Sequence, residues 1–197
     1  MEKNNHKTNS VRFLGEVDIM PLLKLLPELK NEWDKEEVFK VNQNKKYSLS
    51  QVNHVNFRWS KKSEGPCTYF DLELWDKYKH VLLPVMQKAV EPLGYKKGFF
   101  PRVMLARMIP DTVIPEHIDS DYIFWPPHKI HLPLITNPQV IFSVRGVDYY
   151  FEKGKAYEMD NSGMHAVRNE GTTARIHLIF EYLDAEINDV PKPDFEL

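Results

Sequence analysis

Three residues with metal-binding side chains, His117, Asp119 and His165, are the strongest candidates for chemistry. His117 and Asp119 lie two positions apart, so in an extended segment both side chains project from one face, with Cα atoms about 6.6 Å apart. His165 lies in a turn-rich stretch before a strand candidate and supplies a third ligand. Two histidines and one carboxylate form the facial triad of non-haem iron(II) oxygenases. The same set also suits a zinc hydrolase with a metal-bound water.

Arg175 adds a second chemical group, because it follows His165 by ten positions and lies on the inward side of a strand candidate. A buried guanidinium without an anion is costly. Two interpretations remain open at this point. Arg175 binds an anionic ligand, or it forms a salt bridge with a protein carboxylate such as Glu181.

Strands with one apolar and one polar face must position these groups. In 173–182, the apolar residues alternate with polar ones that include Arg175 and His177, and 128–134 repeats the scheme with Lys129 and His131 on its polar face. Further strands are predicted at 47–59 and 68–74. A sheet that packs its apolar face on helices and turns a cationic face inward is typical of a β-sandwich or β-barrel with a ligand cavity.

Two helices are predicted in the first half of the chain. Leucines recur at helical spacing in 17–33, although Pro27 interrupts them. The second helix is expected at 75–93, with Gly94 near its end and a kink at Pro84. Residues 42–46 are predicted to form a loop. No linker or repeat divides residues 1–197, so we expect a single domain with the helices outside a β core.

Composition excludes several classes of protein. The formal net charge is −2 and Lys and Arg form no long run, so nucleic acid is not an expected partner. The single cysteine, Cys67, cannot form an internal disulfide, which suits a reducing compartment. Residues 1–10 are polar and form a predicted flexible leader without a signal peptide, and no apolar run is long enough to span a membrane. We expect a cytoplasmic protein without a membrane partner.

The segment 114–182 resembles the aspartyl/asparaginyl β-hydroxylase family and its relatives that hydroxylate free amino acids. The matching strings agree in order and spacing, and they are Pro115-Glu116-His117-Ile118-Asp119, 129–138, Gly154-Lys155-Ala156-Tyr157, 161–169 and Arg175-Ile176-His177-Leu178. The resemblance implies a mainly β fold, with a double-stranded β-helix (jelly-roll or cupin-like) core and flanking N-terminal helices. The resemblance also implies an Fe(II)- and 2-oxoglutarate-dependent dioxygenase that consumes O2.

The resemblance also implies residue roles. His117, Asp119 and His165 would bind iron and form the catalytic centre, and Arg175 would hold the distal carboxylate of 2-oxoglutarate. His131 would contact the iron-bound end of the cosubstrate. Lys129 occupies a position where relatives often have arginine, and it is a further candidate for cosubstrate binding.

The substrate side of the cavity is predicted to include Arg107, Trp125, Asn137 and Asn169, and residues 120–127 are a candidate lid. Each residue also has a structural interpretation: Trp125 packs a loop, for example, and Asn169 holds the turn before Gly171. The expected substrate is amino-acid-like, either a free amino acid or an Asp or Asn side chain in a protein. The alternative is a non-catalytic metal-binding sensor or interaction module.

Overall fold

The strands dominate the structure, a computed structural model that describes residues 10–33, 52–60, 69–119, 127–187, 190 and 193–196. Within these residues the strands are β1 (Val11–Glu16), β2 (Val52–Ser60), β3 (Tyr69–Asp71), β4 (Lys97–Phe99), β5 (Val103–Met108), β6 (Thr112–His117), β7 (His128–Ile135), β8 (Val140–Val144), β9 (Val147–Tyr149), β10 (Lys155–Met159), β11 (His165–Asn169), β12 (Arg175–Asp184) and β13 (Phe195–Glu196).

The strands form two antiparallel sheets. The larger sheet has the order β1-β10-β7-β12-β5-β2-β3, with β4 and β13 joined to it beside β12, and the smaller has the order β6-β11-β8-β9. Apolar side chains from both sheets, such as Met108 and Phe142, meet in one buried cluster between them. The fold is a double-stranded β-helix of the jelly-roll type, as predicted.

The helices lie in the N-terminal half of the chain, as expected. Helix α1 (Met20–Leu25) is followed by a 3-10 helix (Leu26–Leu29) and by helical residues 30–33, so Pro27 changes the hydrogen-bonding pattern without ending the element. Helix α2 (Glu73–Val90) contains Pro84 and continues into a 3-10 helix (Glu91–Leu93). Gly94 then adopts a φ of 74°, which a glycine accommodates readily. No helix in the described ranges is long and apolar enough to cross a membrane.

The two faces of the large sheet bury different kinds of side chain. Ile130 of β7 and Leu178 of β12 belong to the cluster that packs on the helices, together with Leu22 and Leu82. Successive residues of a strand point to opposite faces. The intervening residues of β7 and β12 therefore face the interior between the sheets, as the alternation in the sequence predicts.

The boundaries of several elements differ from the sequence prediction. The expected strand at 68–74 is shorter, since β3 ends at Asp71 and α2 begins at Glu73. Acidic residues in the first turn favour a helix start there. Strand β2 covers only the second part of the predicted 47–59, and residues 47–51 lie outside the described residues. The predicted loop at 42–46 and all but the last residue of the predicted leader 1–10 also lie outside them.

Candidate metal and cosubstrate site

Neighbouring strands of the smaller sheet bring the two predicted metal-binding histidines together. The Cα atoms of His117 in β6 and His165 in β11 are paired in the antiparallel register. Their ring centroids lie 4.2 Å apart, with the planes inclined by 52°. Residues separated by about 50 positions along the chain therefore become direct cross-strand neighbours.

Asp119 completes the group just after β6. Its backbone N–H donates to the Asn161 carbonyl oxygen at 3.2 Å. Its Oδ1 lies 3.7 Å from Nε2 of His117, and its Oδ2 lies 3.9 Å from Nε2 of His165. One ligand atom from each of the three residues lies within 4.8 Å of the others. Among the described residues this is the one such group, and its spacing suits a single ion with ligand bonds of about 2 Å.

Backbone carbonyls orient both imidazole rings. Nδ1 of His117 lies 2.8 Å from the Pro115 oxygen, and Nδ1 of His165 lies 2.9 Å from the Gly163 oxygen. A carbonyl only accepts hydrogen bonds, so each Nδ1 carries the proton and each Nε2 keeps a lone pair. Burial lowers the pKa of His165, although the Gly163 hydrogen bond opposes this effect. Burial favours the neutral ring, and the Gly163 hydrogen bond keeps its proton on Nδ1. The lone pair on Nε2 of His165 is therefore available for a metal ion.

Lys129 of β7 contacts the metal-binding group from the larger sheet. Its Nζ donates to Oδ2 of Asp119, and both side chains are largely buried. The structure therefore places the ammonium group on one of the predicted metal ligands. The cosubstrate contact predicted for Lys129 stays a prediction.

Arg175 starts β12 and is buried inside the barrel, with 1% of its surface exposed. Its Nη2 donates to Nδ1 of His177 at 3.3 Å, and its guanidinium carbon lies 5.3 Å from the centroid of the Phe142 ring. Nε has no hydrogen-bond partner among the described residues. Burial lowers the pKa of Arg175 to about 9, so the group is a cation at neutral pH. The salt bridge to Glu181, left open by the sequence, does not form, because Glu181 pairs with Arg102 instead.

His131 lies close enough to both Arg175 and the metal-binding group to be affected by their charges. Burial lowers its pKa well below the usual value, and the charges of Lys129 and Arg175 lower it further. Neither ring nitrogen has a hydrogen-bond partner in the described part of the chain. A neutral imidazole with two unsatisfied nitrogens in the interior between the sheets is suited to a hydrogen bond with a ligand.

His177 lies beside His131, with their ring centroids 5.8 Å apart, and no role was predicted for it from the sequence. Its ring stacks on Phe142 at 5.6 Å, and its Nε2 is buried without a partner among the described residues. Burial and the neighbouring Arg175 lower its pKa well below the usual value. The alternation along β12 indicated its position, because His177 lies two residues after Arg175 and so points to the same inward face.

Asn137 and Asn169 hold the turns at one end of the barrel. The Asn169 side chain donates to the carbonyl oxygens of Met108, Ile109 and Thr173, and accepts from Asn137 and from the Gly171 backbone. Asn137 also donates to the Thr173 carbonyl oxygen and accepts from the Gln139 backbone. These bonds agree with the structural interpretation of Asn169. Substrate contacts by either residue stay a prediction.

The structure does not bring Arg107 to the metal-binding group. On β5, Arg107 alternates with Ala106 and Met108, whose side chains face the interior. Arg107 instead shares the outer face with Leu105, and its guanidinium lies 5.1 Å from the centroid of the Trp33 ring. The alternation of side chains along β5 therefore turns Arg107 to the outer face of the sheet, which corrects its predicted place on the substrate side. Trp125 and most of the candidate lid, residues 120–126, lie outside the described residues.

The site fits the groups that the resemblance implies. Iron(II) accepts two imidazoles and a carboxylate on one face of an octahedron, and the two Nε2 atoms and Asp119 supply this set. Arg175 and His131 present buried, unsatisfied polar atoms to a second ligand in the same interior. A His-Asp-His group inside a double-stranded β-helix, with a buried arginine in the same interior, is the arrangement expected of a non-haem oxygenase.

Comparison with known proteins supports this class and narrows it. The model of the family described as aspartyl/asparaginyl beta-hydroxylase matches residues 28–184. The chain belongs to this family. No curated protein matches it significantly.

Two solved structures share the fold. One is an oxidoreductase of the 2OG-Fe(II) oxygenase family from Burkholderia pseudomallei, with 15% identity over 68% of this chain and 69% of that one, and a TM-score of 0.55. The other is the non-heme monooxygenase ThoJ in a nickel complex, with 13% identity over 90% of this chain and 74% of that one, and a TM-score of 0.56. At this identity the likeness shows the fold alone.

Proposed function

We propose that this oxygenase is an Fe(II)- and 2-oxoglutarate-dependent dioxygenase that hydroxylates a C–H bond of an amino-acid-like substrate. The observation that carries the proposal is the position of Arg175, a fully buried cation with an unsatisfied Nε in the interior that contains the triad. The two similar structures are a member of the 2OG-Fe(II) oxygenase family and a non-heme monooxygenase, which supports this assignment.

Each polar group of the cavity has a role in this proposal. His117, Asp119 and His165 would hold the metal through three ligands, and a six-coordinate ion would keep positions for the cosubstrate and O2. Arg175 binds the distal carboxylate of 2-oxoglutarate by charge-assisted hydrogen bonds. Iron(II) and 2-oxoglutarate together supply the oxidising chemistry that inserts an oxygen atom of O2 into the substrate.

The remaining residues bind, orient and exclude water. His177 accepts a hydrogen bond from Nη2 of Arg175 and so holds the guanidinium in the cavity. His131 donates to the cosubstrate between Arg175 and the metal. The Phe142 ring packs against both Arg175 and His177 and excludes water from their surroundings. The interaction between the guanidinium and a carboxylate is stronger in such an environment.

Anaerobic titration with iron(II) and then 2-oxoglutarate tests the proposal. Chelation of the metal by the keto acid is expected to give a weak visible charge-transfer band. The band should disappear in His165→Ala through loss of the metal, and in Arg175→Ala through loss of the cosubstrate with the metal still bound. His80→Ala changes an exposed histidine on α2 and should leave the band unchanged.

The same experiment separates the proposal from its alternatives. Metal binding without a band in the wild type would contradict the 2-oxoglutarate assignment and favour a sensor. Faster ester or amide hydrolysis with zinc than without it would favour the hydrolase. Succinate formation that requires both iron and 2-oxoglutarate would support the dioxygenase directly.

A further inference from the structure

One turn of the chain contacts two of the three predicted metal ligands. Residues 160–164 connect β10 to β11, and His165 follows them directly. The Gly163 carbonyl oxygen accepts from Nδ1 of His165 at 2.9 Å, and the Asn161 carbonyl oxygen accepts from the Asp119 backbone N–H at 3.2 Å. The orientation of the His165 ring and the place of Asp119 therefore both depend on the position of this turn.

Asp160 fixes the start of the turn from within. Its side chain is buried, and its Oδ1 accepts hydrogen bonds from the backbone N–H of Ser162, at 3.0 Å, and from Oγ of the same residue. Its own backbone N–H donates to the Ser10 carbonyl oxygen at 2.9 Å. A buried carboxylate is costly unless a cation also compensates its charge, and Arg145 provides that cation.

Arg145 reaches the turn from the hairpin between β8 and β9. Its Nε and Nη2 each lie 2.8 Å from Oδ2 of Asp160, and its backbone N–H donates to the Met164 carbonyl oxygen at 2.8 Å. The side chain also crosses Gly163, where a Cβ atom would lie 2.6 Å from Nε of Arg145 and 2.8 Å from its guanidinium carbon. The guanidinium therefore packs against the residue whose carbonyl oxygen orients His165.

The backbone conformation of Arg145 is unusual for a long side chain. Arg145 has a φ of 51° and Gly146 a φ of 77°, and these two residues form the whole connection between β8 and β9. Two-residue turns with positive φ at both positions favour asparagine and glycine, because other side chains crowd the backbone there. The ion pair with Asp160 gives a reason for an arginine at this position.

We infer that Arg145 and Asp160 are positioning residues for the metal centre. Their ion pair holds the turn 160–164 so that His165 and Asp119 converge on one metal ion, and it acts through the carbonyl groups of the turn. The inference rests on the metal centre of the proposed function. It does not depend on 2-oxoglutarate or on the identity of the substrate.

Arg145→Asn tests the inference, because asparagine suits a positive φ and lacks the guanidinium. The metal-free variant should unfold at nearly the same urea concentration as the wild type, since the more favourable backbone offsets the lost ion pair. Its affinity for cobalt(II), measured by calorimetric titration, should fall roughly ten- to a hundredfold, as is typical when a group that orients a metal ligand is removed. The absorption bands of bound cobalt(II) should also change, because they report the arrangement of the ligands.

A cobalt(II) affinity and spectrum equal to those of the wild type would overturn the inference. Arg168→Asn is the matched control, because Arg168 lies three residues after His165 and forms its ion pairs with Asp148 and Glu170. This control should leave the cobalt(II) affinity unchanged. Equal losses of affinity in Arg145→Asn and Arg168→Asn would also overturn the inference.

Two further variants identify the ion pair itself. Arg145→Lys keeps a cation that can donate to Asp160, although without the two donors of the guanidinium, so it should recover most of the cobalt(II) affinity. Asp160→Asn keeps an acceptor for Ser162 and removes the charge, so it should weaken cobalt(II) binding about as much as Arg145→Asn. The double variant should bind no more weakly than either single variant, because both remove the same interaction. Additive losses would overturn the assignment. If Asp160→Asn does not fold, the comparison of Arg145→Asn with Arg145→Lys decides.

The charge-transfer titration distinguishes failure of this inference from failure of the proposed function. Cobalt(II) binding that weakens in Arg145→Asn, without a charge-transfer band in the wild type, would support the positioning pair and overturn the dioxygenase. A band in the wild type, together with an unchanged cobalt(II) affinity in Arg145→Asn, would overturn the positioning role alone.

Discussion

The ammonium group of Lys129 donates a hydrogen bond to Oδ2 of Asp119, so one predicted metal ligand is paired with a cation from the opposite sheet. A divalent ion at the triad competes with this ammonium for the same carboxylate. Lys129 is therefore expected to oppose metal binding and to stabilise the metal-free chain.

Lys129→Met should raise the affinity for iron(II) or cobalt(II) several-fold, because the metal no longer displaces an ammonium group. The same change should lower the free energy of unfolding of the metal-free chain by about 1–3 kcal/mol, since Asp119 loses a buried hydrogen bond. Calorimetric metal titration and urea unfolding measure the two effects. Lys88→Met, in an exposed pair, is the control.

The Lys129→Met variant also tests the predicted cosubstrate contact. If Lys129 binds only Asp119, the 2-oxoglutarate affinity of the metal-loaded variant should equal that of the wild type. A clear loss of that affinity would instead support a direct contact with 2-oxoglutarate.

Replacement of Arg175 should separate stability from cosubstrate binding. The guanidinium is fully buried without a carboxylate partner among the described residues, and burial lowers its pKa to about 9. Arg175→Met should therefore raise the free energy of unfolding of the metal-free chain by about 1–4 kcal/mol. It should also abolish the thermal stabilisation that 2-oxoglutarate gives to the metal-loaded wild type. A variant that is less stable and still responds to 2-oxoglutarate would contradict both expectations.

His131 should make the chain sensitive to mild acid. Burial, with Lys129 and Arg175, holds its folded pKa well below 6.5, the value expected after unfolding. Below pH 6.5 the unfolded chain therefore binds more protons than the folded chain, so stability falls as the pH falls. Each such histidine contributes at most about 1.4 kcal/mol per pH unit.

His131→Phe removes this contribution and keeps an aromatic ring against Phe142. Urea unfolding between pH 7 and pH 5 should show a smaller loss of stability than in the wild type. His80→Gln, at an exposed site on α2, is the control. An unchanged pH dependence in His131→Phe would show that the imidazole is not a buried neutral group.

Asn169→Ala tests whether this amide holds the fold or binds substrate. Its side chain forms hydrogen bonds with three backbone carbonyls and with Asn137. The variant should lose about 2–3 kcal/mol of unfolding free energy. Once a substrate is known, its KM should stay near the wild-type value at low temperature. A raised KM in a fully stable variant would support the substrate contact predicted from the sequence.

Short-range patterns in the sequence were sufficient to place His117 beside Asp119 and to predict the inward face of a strand. The spacing of His117 and Asp119 needs only an extended segment to bring both groups to one side. The alternation along 173–182 likewise predicts that Arg175 faces inward and that Leu178 packs on the helices, and the structure agrees. These properties depend on the twofold period of a single strand, which a sequence displays directly.

The tertiary structure alone decided which distant groups meet. His117 pairs with His165 through the β6–β11 register, and Glu181 meets Arg102 and not Arg175 through the register of β12 with its neighbours. The alternation of side chains along β5 turns Arg107 away from the interior between the sheets. The sequence of that strand is mostly apolar, so it does not indicate which of its two faces points inward. Strand register is set by packing between segments far apart in the chain, and a shift of one residue reverses every side chain. The sequence determined the chemical groups, and the packing of the two sheets determined their partners.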